Sequence, residues 1–283
     1  MNNKKKINIK VIGLELGGYE VLNKMKNGIE GVDIVECCKY YDKSNFHEVN
    51  SVKVINNFKD IDAVTKNTDI CIIVCKHDAF YDDLYANIIS KEYLSFLRSA
   101  KKNNSLTIGV YVPDYKYKTN KKDEIIKKSN RIADMTLILP KEKYLNKSFE
   151  NGLKAENEEI LNFIKTIKDL FIGTGLINIS LDDYKKILRG SGNSYIEVCE
   201  SSGDNKELKA AKHILKSFKK YNDLNKVKSV FICLSSKDVS FNNTNIVCEY
   251  IKKSLNEETN CIYLTVQDDS LINKVQLSVI INE

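Results

Sequence analysis

The sequence predicts an α/β protein: a doubly wound parallel sheet, then one long helix, then a smaller α/β unit with a four-stranded sheet. Three observations carry that prediction. Short Val- and Ile-rich runs alternate with helically spaced segments through the first half. Those runs do not alternate apolar with polar, as strands covered on both faces need not. From Gly152 onward the pattern changes to a single amphipathic stretch of helical period.

The predicted strands of the first half are Ile7–Leu14, Val32–Cys37, Val52–Ile55, Asp69–Cys75, Leu106–Val112 and Met135–Leu139. Helical spacing appears between them at Tyr19–Asn27, Tyr81–Lys102 and Asp123–Ile132, giving a βαβ series. In the long helix, Leu153, Ile160, Leu161, Ile164, Ile167, Leu170 and Phe171 share one face, and Gly173 and Gly175 stop it. Strands Ser194–Cys199, Val227–Leu234, Cys261–Val266 and Val275–Ile281 follow, with helices Lys206–Tyr221 and Asn245–Leu255 among them. The expected organisation is residues 1–151 as the first domain, 152–173 as a central helix and 174–283 as the second domain.

Composition narrows the function classes. Across 283 residues, 42% are hydrophobic and 29% charged, which is enough apolar material for packed cores and excludes a disordered chain. Two prolines and twelve glycines exclude collagen-like and linker architectures. The net charge of +6 is modest and dispersed, so no nucleic-acid partner is expected. No run approaches the ~18 apolar residues of a membrane helix, so no direct membrane binding is expected. The basic-then-apolar amino terminus imitates a signal peptide, but Lys10 and Glu15 interrupt it and no small-residue cleavage site follows. The eight cysteines mostly sit in strand-like runs without paired CxxC spacing, which points to a reduced, cytoplasmic chain with no metal site. Abundant Lys, Asn and Ile suggest an AT-rich bacterial genome.

The first strand leads into Gly13-Leu-Glu-Leu-Gly17-Gly18. Glycines there allow backbone N–H groups and a helix amino terminus to approach phosphate, and they equally suit a plain tight turn. The segment from Ile9 to Met25 resembles the first glycine loop of the tubulin/FtsZ superfamily, whose FtsZ form reads roughly IKVIGVGGGGGNAVNRM. Further resemblances follow in order. Gly31–Ile34 is similar to GVDF, and Ala133–Leu145 to VDTLIVIPNDRLL. Gly175–Asp183 is similar to GLINVDFAD, Ser202–Asn205 with Ala210-Ala211 to an SGE turn and its AA helix, and Asp269–Ile281 to DESL with a terminal VRVTVIATG strand.

The chain is therefore identified as a divergent, FtsZ-like member of that superfamily. The resemblance implies a nucleotide-binding domain, a central helix and a second domain. It also implies head-to-tail filaments in which a loop after the central helix completes the GTP site of the next subunit. On the matching positions, Gly13, Gly17, Gly18 and Asn157 would contact nucleotide, and Asn178 and Asp183 would belong to the catalytic loop.

Several positions depart from the family pattern. Its second glycine loop, GGGTGTG, is replaced after the Asp69–Cys75 strand by Lys76-His-Asp-Ala-Phe-Tyr-Asp-Asp83, and no glycine lies between Gly31 and Gly109. Asp78, Asp82 and Asp83 repel a triphosphate unless a metal intervenes. Glu15, Leu16 and Tyr19 replace glycines, Glu20 replaces an Asn, and Cys38-Lys39-Tyr40 stands where the family has NTD. Ser180 replaces the first carboxylate of the catalytic loop. Lys118 and Lys122 stand where the family contacts nucleotide and could meet an anion, but read first as solvated surface; His77 beside Asp78 could belong to a metal cluster, but reads first as an exposed loop. Asn157 suits a guanine edge or an exposed helix surface. Asp183 suits hydrolysis or simply the first turn of a helix, where the dipole favours acids.

The expectation is an FtsZ-like cytoskeletal or cell-division protein, a pseudo-GTPase that assembles with itself or modulates an authentic FtsZ. No cofactor is then expected. The alternative is a divergent GTP-hydrolysing filament former serving cell division, cell shape or plasmid segregation, which would take GTP or GDP with magnesium. A third reading keeps only the fold as a scaffold. FtsZ chains carry a flexible linker and a short peptide for membrane-anchoring partners, whereas this sequence ends at Glu283, so another protein is expected to bring it to any division ring.

Overall fold

The computed structural model describes residues 7–25, 29, 31–37, 52–55, 61–76, 83–112, 119–140, 143–144, 147–172, 180–188, 192–238 and 240–283. The chain divides into two compact units, Met1–Leu139 and Pro140–Glu283.

In the first unit, β1 (Ile9–Leu14), β2 (Val32–Cys37), β3 (Val52–Ile55), β4 (Ile70–Lys76), β5 (Leu106–Val112) and β6 (Met135–Leu137) form an all-parallel arrangement ordered β3-β2-β1-β4-β5-β6. Every residue of β4 and β5 is buried, which is why neither reads as an alternating strand. Helices α1 (Glu15–Met25), α2 (Ile61–Thr65), α3 (Asp83–Lys102) and α4 (Thr119–Ile132) connect the strands. Two of these connections are pinned by aspartates, Asp134 buried and Asp62 exposed. Asp134 accepts the Thr107 backbone N–H at 2.9 Å and pairs with Lys101. Asp62 of α2 accepts from Ser99 and, at 3.2 Å, from Lys102 of α3. The short α2 has too few turns to show a period in the sequence.

In the second unit, α5 (Phe149–Ile172) is the long helix anticipated from its apolar stripe. Ile160, Phe163, Ile164, Ile167 and Leu170 are buried along it. It is followed by α6 (Leu181–Leu188), β7 (Asn193–Ser202), α7 (Lys206–Tyr221), β8 (Ser229–Ser236), α8 (Phe241–Lys252), β9 (Asn260–Gln267) and β10 (Lys274–Asn282). The last-made strand lies inside the sheet, ordered β7-β10-β8-β9, antiparallel to β7 and β8, while β8 and β9 are parallel. Ala210, Ala211, Ile214, Leu215 and Phe218 of α7 close one face over Val230, Ile232, Leu277 and Val279. Among the described residues, no helix is long and apolar enough to cross a membrane.

Candidate nucleotide site

In the first unit the chain runs outward from β1 to β3 and then returns to place β4 beside β1. Such a reversal leaves a crevice at the carboxyl ends of those two strands, the usual ligand position of an open α/β sheet. Here the β1 side of the crevice has no loop. Leu14 ends the strand and Glu15 begins the helix at once, with a left-handed φ of 56° and 1% exposure. The helix expected from Tyr19 thus starts four residues earlier, and Gly17 and Gly18 lie inside its first turn rather than in a loop.

The three glycines have a packing cause. A Cβ on Gly17 would sit 2.0 Å from the Lys76 carbonyl oxygen, and one on Gly18 would sit 2.7 Å from the Gly13 carbonyl carbon. A Cβ on Gly13 would press on Leu22 at 2.6 Å. The α1 backbone therefore lies directly on β1 and the end of β4.

The charges at this edge are mostly acidic. Glu15 and Glu36 are buried, and Lys76, 3% exposed, has its Nζ 3.6 Å from Glu20 Oε2. Leu14 is in register with Cys37 on one side and Cys75 on the other. Burial pushes the Cys37 thiol up to about 12, with the charges of Glu15 and Glu36 adding to it. The Cys75 thiol is raised by burial and then by Glu15. The Glu15 charge is thus felt at the ends of both neighbouring strands.

His77, Asp78, Asp82, the 38–40 segment and Lys118 lie outside the described residues. Asp83 begins α3, and Lys122 is half-buried on α4.

In the second unit, Asn157 lies on α5 and is 5% exposed, so it is a buried rather than a surface asparagine. Asn178 falls outside the described residues. Ser180 caps α6. Its Oγ accepts the Asp183 backbone N–H at 3.2 Å and donates to Asp183 Oδ2 at 2.7 Å, while Lys186 lies 3.2 Å from Oδ1. Hydrogen bonding from Ser180 foremost, then Lys186, holds the Asp183 carboxyl below the ordinary carboxylate range. His213 is exposed on α7. Among the described residues, no group of three or more His, Cys, Asp or Glu side chains has metal-holding geometry.

No protein-family model matches the chain. In sequence it is 22% identical over 190 residues to the cell division protein FtsZ 1 of Pyrococcus abyssi, covering 64% of this chain and 51% of that relative. The match thus spans about half the length of the curated relative. In structure it superposes on two M. jannaschii FtsZ structures, a W319Y mutant and an empty dimer, each with a TM-score of 0.82 at 19% identity. These superpositions cover 98% and 99% of this chain and 91% and 89% of theirs. The chain has the FtsZ/tubulin fold. It also superposes on GDP-form protofilaments of Bacillus thuringiensis serovar israelensis TubZ, with a TM-score of 0.60 at 8% identity over 99% of this chain and 89% of that one.

In this FtsZ-like chain the first glycine segment thus keeps its glycines and loses its loop. Sequence reasoning noticed Glu15 as a replaced glycine but not Glu36 or the burial of Lys76. Charged residues inside strand-like runs give no periodic signal of which way they point.

Proposed function

We propose that this chain is an FtsZ-like cytoskeletal protein that works by assembly, with itself or with an authentic FtsZ, and does not hydrolyse GTP. The observation that carries the proposal is the closed β1–α1 junction. Glu15 is buried at the helix amino terminus, where the family places phosphate-facing glycine, and Gly17 and Gly18 are already used to seat the helix on the sheet. A phosphate-bearing anion at that helix end would face Glu15 and Glu36 in a medium of low dielectric. On the other unit, Asp183 is engaged by Ser180 and Lys186 as a helix-capping acid, and Ser180 carries no charge with which to polarise a water.

Assembly is supported by the fold and by two of its structural neighbours, an empty FtsZ dimer and TubZ protofilaments. Among the described residues, all four exposed large hydrophobics, Ile172, Phe241, Ile246 and Ile272, belong to the second unit. Exposed apolar side chains on one unit suit a heterologous contact that repeats head to tail.

Calorimetric titration of nucleotide-stripped protein with GTP and with GDP, each with magnesium, tests the proposal. No binding heat at millimolar nucleotide is expected, together with altered sedimentation of an authentic FtsZ when the chain is added. Micromolar binding, or GTP turnover lost on Asp183→Ala, would overturn it in favour of an active GTPase.

A further inference from the structure

The second unit buries a charge cluster that the nucleotide reading does not use. Lys143, three residues beyond the unit boundary, places Nζ 2.7 Å from Glu159 Oε2 on α5 and 2.8 Å from Glu197 Oε1 on β7. The Tyr144 hydroxyl donates to the same Glu159 Oε2 at 2.6 Å, and the Ser217 hydroxyl of α7 donates to the same Glu197 Oε1 at 2.7 Å. Both donors to Glu159 thus converge on one oxygen. Its other oxygen, Oε1, is buried and has no hydrogen-bond partner.

Two carboxylates therefore share one ammonium, with Glu159 the most deeply buried of the three. An unbalanced buried charge is costly in a protein interior, and such a group neutralises itself by holding a proton. The only vacant valence on Glu159 is at Oε1. A proton there leaves Oε2 as a carbonyl oxygen still able to accept from Lys143 and Tyr144.

We infer that Glu159 holds a proton on Oε1, making the cluster a neutral latch that fastens the 143–144 connector to α5 and β7 and loosens when the proton leaves. The titratable groups facing Glu159 are Lys143 and Tyr144 from the connector and Glu197 from β7; Tyr221 of α7 acts on Tyr144. Burial drives the Glu159 carboxyl upward, Lys143 and Tyr144 oppose it, and Glu197 adds to it, with a net rise. Burial also depresses the Lys143 ammonium, but Glu159 and Glu197 outweigh it and keep it charged.

A folded-state pKa above the unfolded one means that the native protein keeps a proton the unfolded chain has already released. Stability is fully present below the ordinary glutamate range and is lost as pH rises through the raised value. Asp169 and Glu283, also raised by burial, contribute the same sign, so the readout is the difference between wild type and Glu159→Gln. Melting midpoints across acid to neutral pH should diverge, with wild type losing a few degrees that Glu159→Gln keeps. Parallel profiles would overturn the inference. A second measurement holds if that variant fails to fold. Infrared spectra of native protein should show a protonated-carboxyl band that titrates in the same window. Glu197→Gln, which leaves Lys143 a single carboxylate, should abolish that band at neutral pH. A band that persists in Glu197→Gln, or none in wild type, would also overturn it.

Discussion

Replacing Gly17 by alanine separates the packing account of the first glycine segment from a phosphate account. The new Cβ would stand 2.0 Å from the Lys76 carbonyl oxygen and 2.8 Å from its carbon, and both are backbone atoms that no side-chain rotation can clear. Ordinary contact begins near 3.4 Å, so α1 must lift from β4 by more than an ångström. That lift loosens Val21 and Leu22, which are fully buried beneath the helix. Overpacking costs about 1–3 kcal/mol, and a 2.0 Å clash with backbone belongs in the upper half of that range, about 2–3 kcal/mol. Alanine recovers ~1 kcal/mol of helix propensity and backbone entropy. The net expectation is a loss of about 1–2 kcal/mol, which lowers the urea midpoint by ~0.5–1 M for an m-value near 2 kcal/mol/M. Gly152→Ala is the internal control, because its Cβ meets nothing closer than the Tyr144 carbonyl oxygen at 3.9 Å inside α5. It should stabilise by up to ~1 kcal/mol. Urea unfolding followed by circular dichroism reads both variants in one experiment. A Gly17→Ala protein as stable as wild type would refute the packing account and return that glycine to ligand contact.

Three more outcomes follow from single side chains. Asp134→Ala strips the Thr107 N–H and Lys101 of their acceptor and should cost on the order of 2 kcal/mol in urea unfolding, whereas Lys101→Ala, at a half-exposed position, should cost less. Among the cysteines of the described residues, iodoacetamide should alkylate native protein first at Cys199 and Cys261, which are partly exposed. Cys71, Cys233 and Cys248, with thiols pushed up to about 12 chiefly by burial, should react only on unfolding, as read by peptide mass spectrometry. The Asp183 carboxyl, depressed foremost by Ser180, supports α6 above the ordinary carboxylate range and releases that support as pH falls through its lowered value. Carbon-detected NMR titration should place it below a free aspartate, and Ser180→Ala should move it back up.

Most of the fold was legible because its strands are buried on both faces and its helices on one. The uninterrupted apolar runs of β4 and β5 and the stripe from Ile160 to Leu170 carry their burial in residue type alone. What the sequence hid were polar residues with inward positions. Glu156, Asn157, Glu159 and Thr166 are buried on α5, yet each breaks the apolar stripe and reads as surface. Glu159 is held by Lys143 and Tyr144 from outside the helix, and no local period encodes such a pairing. The helix start at Glu15 was missed for a related reason. Gly17 and Gly18 signal a loop by propensity, and only the closeness of Lys76 to Gly17 and of Gly13 to Gly18 explains two glycines inside a helix.

That same closeness bears on how the fold stands without a ligand. In an open α/β sheet the crevice at the strand ends is polar and must be satisfied by something. Here the chain supplies its own groups. Glu15 reaches the helix end through a left-handed backbone that favours glycine, a conformation that costs about 1 kcal/mol or more for a side-chain-bearing residue. Such strain persists only when its surroundings over-determine it. The seating of Gly17 and Gly18 on β4 and β1 does that, because it leaves α1 no other place to begin. A ligand phosphate entering this edge would have to displace a buried carboxylate and then lift a helix whose backbone touches the sheet. The two costs fall on the same few residues, so they add.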